Sequence, residues 1–291
     1  MAAPRFHNRA LVTDSGGTIA SAIIRELQKL AFEGILKSGI QISAHFKGQP
    51  LLSVWGGACP KSGTAVTEDS LFMAYSVAKG VTSTALCMHV GKAGMSFDDS
   101  VAAVWPEFAG ADKGSVTIGD AAGYRAGMPT HPSLVNQMQQ FRRGGWEGHW
   151  NNGKEWVEKA VPEWTPGTKA GYHAMSYSWI VGGIVEALDA VHTTNTKDGV
   201  RRPLSQIISE DIALPIGRQR EMFLGRLPAE ERHRVVKLTP LVPKSVVQIC
   251  GVVVGLGAAI EARRQESSRK VKRQLSVSVN LQRTCGGTLL S

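Results

Sequence analysis

Between residues 173 and 189 the chain sets Tyr177, Ile180, Val181, Ile184, Val185 and Leu188 at three-to-four spacing, which predicts a helix from about His173 to Asp189. An apolar stripe of that kind must be buried, so any fold for this chain has to be built around it. A second helix is predicted from Ser76 to about Val90, ended by Gly91-Lys92-Ala93-Gly94. Residues 20–37 give a third helical pattern, with Ile23, Leu27, Leu30, Ala31 and Ile35 roughly on one face. Ile40 to Trp55 reads as two extended runs around Lys47-Gly48, a β-hairpin closed by Gly56-Gly57. Thr67-Glu68-Asp69-Ser70 then forms a polar loop. From Phe97 to Gly171 the chain is rich in Trp, Gly and Pro with few strand signals, which predicts a loop-rich or helical insertion.

The chain's 291 residues, 43% of them hydrophobic, can fill a substantial core. Its formal charge of +9 is unevenly placed: residues 261–291 hold +5, leaving +4 for everything before them. The expected organisation is one domain over residues 1–260 followed by a solvated basic tail over 261–291, with no nucleic-acid partner. The apolar run Ile249 to Ile260 is too short to span a bilayer and reads as a buried segment. No secretory h-region is visible, so a cytoplasmic protein is expected, with Arg5 and Arg9 leaving an organellar presequence as the alternative. Cys59, Cys87, Cys250 and Cys285 form no CxxC pair and are expected to be free thiols. His89, His131, His149 and His173 lack ligand spacing, which argues for structural roles and no metal. Trp146, Trp150, Trp156 and Trp164 make a dense aromatic region that suits either a cleft or core packing.

Chemistry is suggested by Ser76-Val77-Ala78-Lys79, where a serine opening a helix has a lysine one turn later on the same face. A serine hydroxyl needs a base held against it, and a lysine kept dry can accept its proton. The helix start would favour a developing oxyanion, with the Ser76 amide as a donor. The spacing alone carries little weight, because Ser267 and Lys270 share it within the charged tail.

The surrounding residues carry more. Phe72-Met73-Ala74-Tyr75-Ser76-Val77-Ala78-Lys79-Gly80-Val81-Thr82 resembles the nucleophile segment of class C β-lactamases and their esterase and DD-peptidase relatives. The resemblance continues through Met95 to Val101, Trp105-Pro106-Glu107-Phe108, Val116-Thr117-Ile118-Gly119-Asp120 and Arg125-Ala126-Gly127-Met128-Pro129, covering roughly residues 40 to 190. Trp164 to Ala174 matches the element in which that family carries a catalytic tyrosine at a helix opening, here Tyr172. The resemblance implies an α/β (α+β) fold of the β-lactamase/transpeptidase type, an antiparallel sheet flanked by helices with a mainly helical insert. It also implies acyl transfer on a small ester or amide by Ser76, Lys79 and Tyr172, with no cofactor or metal.

Three departures qualify the match. Ala174 stands where the β-lactamase branch has Asn, which favours the esterase-like branch. Tyr124 stands where the family has histidine. The third motif, Lys-Thr-Gly or His-x-Gly on a late strand, is not found after Tyr172; Thr284-Cys285-Gly286 lacks the side chain for it, and the last strands of the sheet are expected to be missing. A non-catalytic or truncated scaffold is therefore one alternative. The other is a short-chain dehydrogenase, because Ala10 to Ala20 resembles a degraded dinucleotide-binding start and Tyr75 with Lys79 fits YxxxK. Asp14, Thr18 and Ala20 occupy its glycine positions, and only 62 residues separate Thr13 from Tyr75.

Overall fold

The computed structural model of the chain describes residues 5–10, 15–36, 38–59, 62–129, 148–192, 201–225 and 227–236. They fall into two compact units, one drawn from Met1–Ala74 and Glu230–Ser291, the other from Tyr75–Ala229. The basic segment 261–291, the run Ile249–Ile260, Thr284-Cys285-Gly286, Cys250, His131 and Trp146 lie outside the described residues.

In the first unit β1 (Phe6–Ala10), β2 (Ile40–Phe46) and β3 (Gln49–Gly56) form an antiparallel sheet in the order β1-β3-β2. The predicted hairpin is β2 and β3. Lys47 (φ 49°) and Gly48 (φ 75°) both take the left-handed conformation, giving the turn whose twist matches the strands it joins. Helix α1 (Ser15–Phe32) packs Ala20 and Leu27 into one cluster with Leu52 and Val54 of β3. It both starts and ends earlier than the pattern over 20–37 predicts. Gly34 at φ 70° stops it: the Ile35 amide donates to Leu30 O at 2.9 Å and the Gly34 amide to Ala31 O at 3.1 Å, a Schellman cap. The dehydrogenase alternative is corrected here. A dinucleotide site needs a glycine-rich turn from a strand of a parallel sheet into the following helix, whereas Gly16 and Gly17 lie within α1 and β1 runs antiparallel to β3.

The second unit contains α2 (Ala78–Lys92), α3 (Ile118–Ala122), α4 (residues 148–159), α5 (Ser176–His192) and α6 (Leu204–Ile207), with a π-helical turn over Ile208–Ala213. Helix α5 is its spine. Tyr177, Ile180, Val181, Ile184, Val185 and Leu188 are all buried, each full burial worth about 1.5–3 kcal/mol, although the helix begins at Ser176 and not at His173. Gly182 and Gly183 sit mid-helix for a packing reason. A β-carbon on Gly182 would come within 2.5 Å of the Trp150 ring, and one on Gly183 within 2.5 Å of Trp105. Trp150 thus belongs to the core, and its indole N–H donates to the buried Glu186 at 2.8 Å.

The stretch 97–129 consists of short helical turns, as the insertion reading expects. Lys113 staples it to the end of α4. Its side chain is fully buried, and Nζ donates to the carbonyls of Glu158 (3.0 Å), Ala160 (2.7 Å) and Gly110 (2.5 Å). Burial alone would push the ammonium to lose its proton, and three carbonyls satisfy every N–H instead.

Helices α2 and α5 are tied by an ion network. Arg202 forks onto Asp189 and Asp211, Lys92 reaches Asp211 at 2.8 Å, and His89 Nε2 lies 3.1 Å from the same carboxylate. His89, Asp189 and Asp211 cluster closely enough to hold a metal ion by distance. Arg202 and Lys92 already occupy their carboxylate oxygens, so the counter-charge is supplied by side chains. Burial pushes the Asp211 carboxyl up, yet hydrogen bonds from Arg202 and Lys92 hold it well below the ordinary aspartate value of 3.8. Because the folded value is the lower one, the pairing is at full strength above 3.8 and is lost as pH falls further. Urea denaturation should show stability dropping below that pH, and Asp211→Asn should cost about 3 kcal/mol at pH 7 while removing part of the acid sensitivity. No helix among the described residues is long and apolar enough to cross a membrane.

Candidate active site

The chain enters α2 through a tight turn, Tyr75–Val77. Tyr75 sits at φ 47°, a left-handed conformation that costs a side-chain-bearing residue about 1–2 kcal/mol, at the bend that delivers Ser76 to the helix start. Strain of this kind concentrates where a side chain must be aimed. The first amides of the helix have no partner within it, so the Ser76 end of α2 presents N–H donors.

The three residues singled out from the sequence come together within this one unit. The Tyr172 hydroxyl donates to Ser76 Oγ at 2.9 Å, and Lys79 Nζ donates to the same oxygen at 3.2 Å. Lys79 also donates to the Ala174 carbonyl at 2.9 Å, and its Nζ lies 5.2 Å from the centre of the Tyr172 ring. Ser76 is exposed, and so is Tyr172, at 55%.

Tyr172 lies in an irregular stretch four residues before α5, not at the opening of the helix. Hydrogen bonds to the segment 124–129 hold it there. Amides of Glu163, Gly167 and Gly171 donate to the carbonyls of Gly127, Arg125 and Tyr124 at 2.7, 3.0 and 3.0 Å. His173 closes the ladder from the other side: the Met128 amide donates to Nε2 at 2.9 Å, so the ring proton must be on Nδ1, which faces Gly171 O at 2.5 Å. Burial lowers the basicity of His173, against a smaller opposing effect of the Gly171 bond, which fits a neutral ring. Ser176 Oγ donates to Met128 O at 2.5 Å. Upstream, Thr117 and Asp120 form a capping box on α3, and Arg125 bonds the Asp120 carboxylate. The Arg-Ala-Gly-Met segment thereby serves as the rail on which Tyr172 is mounted.

Residues outside the sequence-derived set also reach the site. Ser83 Oγ donates to the Lys79 carbonyl at 2.9 Å and lies 2.7 Å from Tyr177 Oη. The spacing was available: Ser76, Lys79 and Ser83 stand at i, i+3 and i+7, one helix face. Tyr177 was hidden because a tyrosine in an apolar stripe reads as core. His149 and Trp156 pack against Trp179, and Trp164 against His173, so the described part of the aromatic region is packing around these elements. Cys87 is a free, exposed thiol.

The family model described as Beta-lactamase matches residues 31–243. The chain belongs to the beta-lactamase-related serine hydrolase family. It is 24% identical over 213 residues to the Esterase/beta-lactamase LipL of Mycobacterium tuberculosis, a match covering 71% of this chain and 44% of LipL. Among solved structures, a family VIII carboxylesterase superposes with a TM-score of 0.65 at 24% identity, covering 80% of this chain and 58% of that one. A novel penicillin-binding protein homolog from Caulobacter crescentus gives 0.62 at 24% identity, with 80% and 56% covered. These likenesses establish the beta-lactamase/transpeptidase-like fold. This beta-lactamase-family chain spans about half the length of the relatives it matches.

Proposed function

We propose that the chain is a serine esterase that works through an acyl-enzyme on Ser76. The observation that carries this reading is the convergence of the Tyr172 hydroxyl and the Lys79 ammonium on Ser76 Oγ, at 2.9 and 3.2 Å. A nucleophile flanked by two proton-carrying groups can lose its proton as it attacks and return one to the departing alcohol. Ser76 Oγ adds to the ester carbonyl from the form of the site in which the Lys79–Tyr172 pair carries one proton fewer, with the Tyr172 oxygen as phenolate beside the Lys79 ammonium, and that oxygen takes the serine proton. The oxyanion faces the amides at the start of α2, and collapse breaks the bond to the alcohol, which takes a proton from Tyr172. Water then attacks the acyl-Ser76 carbonyl with the same pair as base, releasing the acid and restoring the serine. No step calls on a metal or cofactor.

An ester is favoured over a β-lactam by what surrounds Lys79. At residue 174 an alanine offers Lys79 only its backbone carbonyl, and no side-chain amide is present there to hold an amide substrate. The name of the carboxylesterase agrees with this direction, while that of LipL carries both esterase and beta-lactamase. A fluorophosphonate should add one equivalent to the peptide carrying Ser76, and p-nitrophenyl butyrate should be turned over faster than nitrocefin. Labelling at Ser267 or nowhere would remove the assignment. The non-catalytic reading draws on the openness of the site, with Ser76 and Tyr172 both exposed. It predicts an adduct without ester turnover.

A further inference from the structure

We propose that Tyr124 is a positioning residue of this site, whose ring supports the two tyrosines facing Lys79 and so sets how the Tyr172 hydroxyl and the Lys79 ammonium meet Ser76. The inference rests on the functional reading above and adds a residue to it.

The Tyr124 ring lies 5.3 Å from that of Tyr172 and 4.9 Å from that of Tyr177, centre to centre. Those same two rings flank Lys79, whose Nζ is 5.2 Å from the first and 5.9 Å from the second. Tyr124 therefore touches both walls of the seat in which the ammonium rests. Tyr177 is fixed at its far end as well. Ser83 spends its one proton on the Lys79 carbonyl, so the Tyr177 hydroxyl must donate to Ser83 Oγ. Among the described residues Tyr172 has no such anchor: its hydroxyl is committed to Ser76 and its side chain is largely exposed, so its ring depends on neighbours for direction. Tyr124 supplies an aromatic face, and its carbonyl also holds the amide of Gly171, next to Tyr172.

Backbone conformation points the same way. Tyr124 is held at φ 60°, where glycine would sit without strain, so the side chain is retained against a local preference for none. Burial, with Tyr177 and Tyr172 nearby, raises the Tyr124 hydroxyl above its ordinary value. The ring, then, is what the site uses.

The test measures p-nitrophenyl butyrate hydrolysis and the rate of phosphonate addition to Ser76 across a pH series, for the full chain and two variants. Tyr124→Gly suits the backbone and removes the ring; kcat should fall about tenfold to a hundredfold, with KM within about threefold and the alkaline limb of the kcat/KM profile displaced. Tyr124→Phe keeps the ring and should hold kcat within about threefold of the parent. Thermal melting checks that each variant is folded, and Tyr124→Leu replaces the glycine variant if that one is not. Wild-type kcat and pH profile in the ring-less variant would overturn the proposal, as would a phenylalanine variant as slow as the glycine one. A parent chain in which Ser76 takes no phosphonate sinks the functional reading and this inference together, whereas a reactive parent with indifferent Tyr124 variants sinks only the inference.

Discussion

Ser76→Ala should lower kcat/KM for a p-nitrophenyl ester by about 10³-fold or more, without measurable loss of stability. The first half follows from the site: among the described residues Ser76 Oγ is the hydroxyl oxygen on which the Tyr172 and Lys79 donors converge. The second half follows from exposure. Ser76 lies at the surface, where deleting a hydroxyl is worth within about 0.5 kcal/mol either way. Steady-state rates and a urea melt on the same preparation check both halves. Activity within tenfold of the parent would show that the turnover belongs to another group.

Lys79→Met should cost about 10³-fold in kcat/KM and leave KM nearly unchanged. Methionine keeps the length and the apolar stem but removes the donor to Ser76 Oγ and to the Ala174 carbonyl. Tyr172 would then have to manage protons alone, with no cation beside it. Lys79→Arg should not restore the rate, because a guanidinium does not give up its proton and so cannot share in proton transfer with Ser76 and Tyr172. Combining Lys79→Met with Ser76→Ala should add little to the serine variant alone, since the two groups act as one unit. A lysine variant that keeps a normal acylation rate would assign the base role to Tyr172 by itself.

Features with a period or a spacing could be read from the chain, and features built by distant neighbours could not. The buried face of α5 shows at three-to-four spacing, and the Lys47-Gly48 turn shows because few residue pairs accept two positive φ angles. Helix α1 is misplaced by its pattern because apolar Ile35, 44% exposed, continues the stripe past Gly34, and the cap outweighs the periodicity. Lys113 has no signal at all. Its partners are backbone carbonyls at 110, 158 and 160, and a carbonyl looks the same at every position. The Arg202 network is likewise assembled from charges that local reading places on solvated faces. Lys79 and Tyr172 lie within hydrogen-bond reach of Ser76, all three singled out by their flanking segments, whereas Tyr177 meets Ser83 through a contact between two helices that the stripe of α5 does not announce.

The tryptophans seated against Gly182 and Gly183 have an optical consequence. Of the seven indoles in the chain, six fall within Tyr75–Ala229, and Trp55 of β3 is the exception. Trp105, Trp150 and Trp179 are nearly sealed from solvent, so a red shift in intrinsic emission reports the opening of the unit that carries Ser76 and is almost blind to the sheet. Amide absorbance in the strand region reports the other unit. Recorded side by side during a melt, the two signals show whether the units open together or in turn.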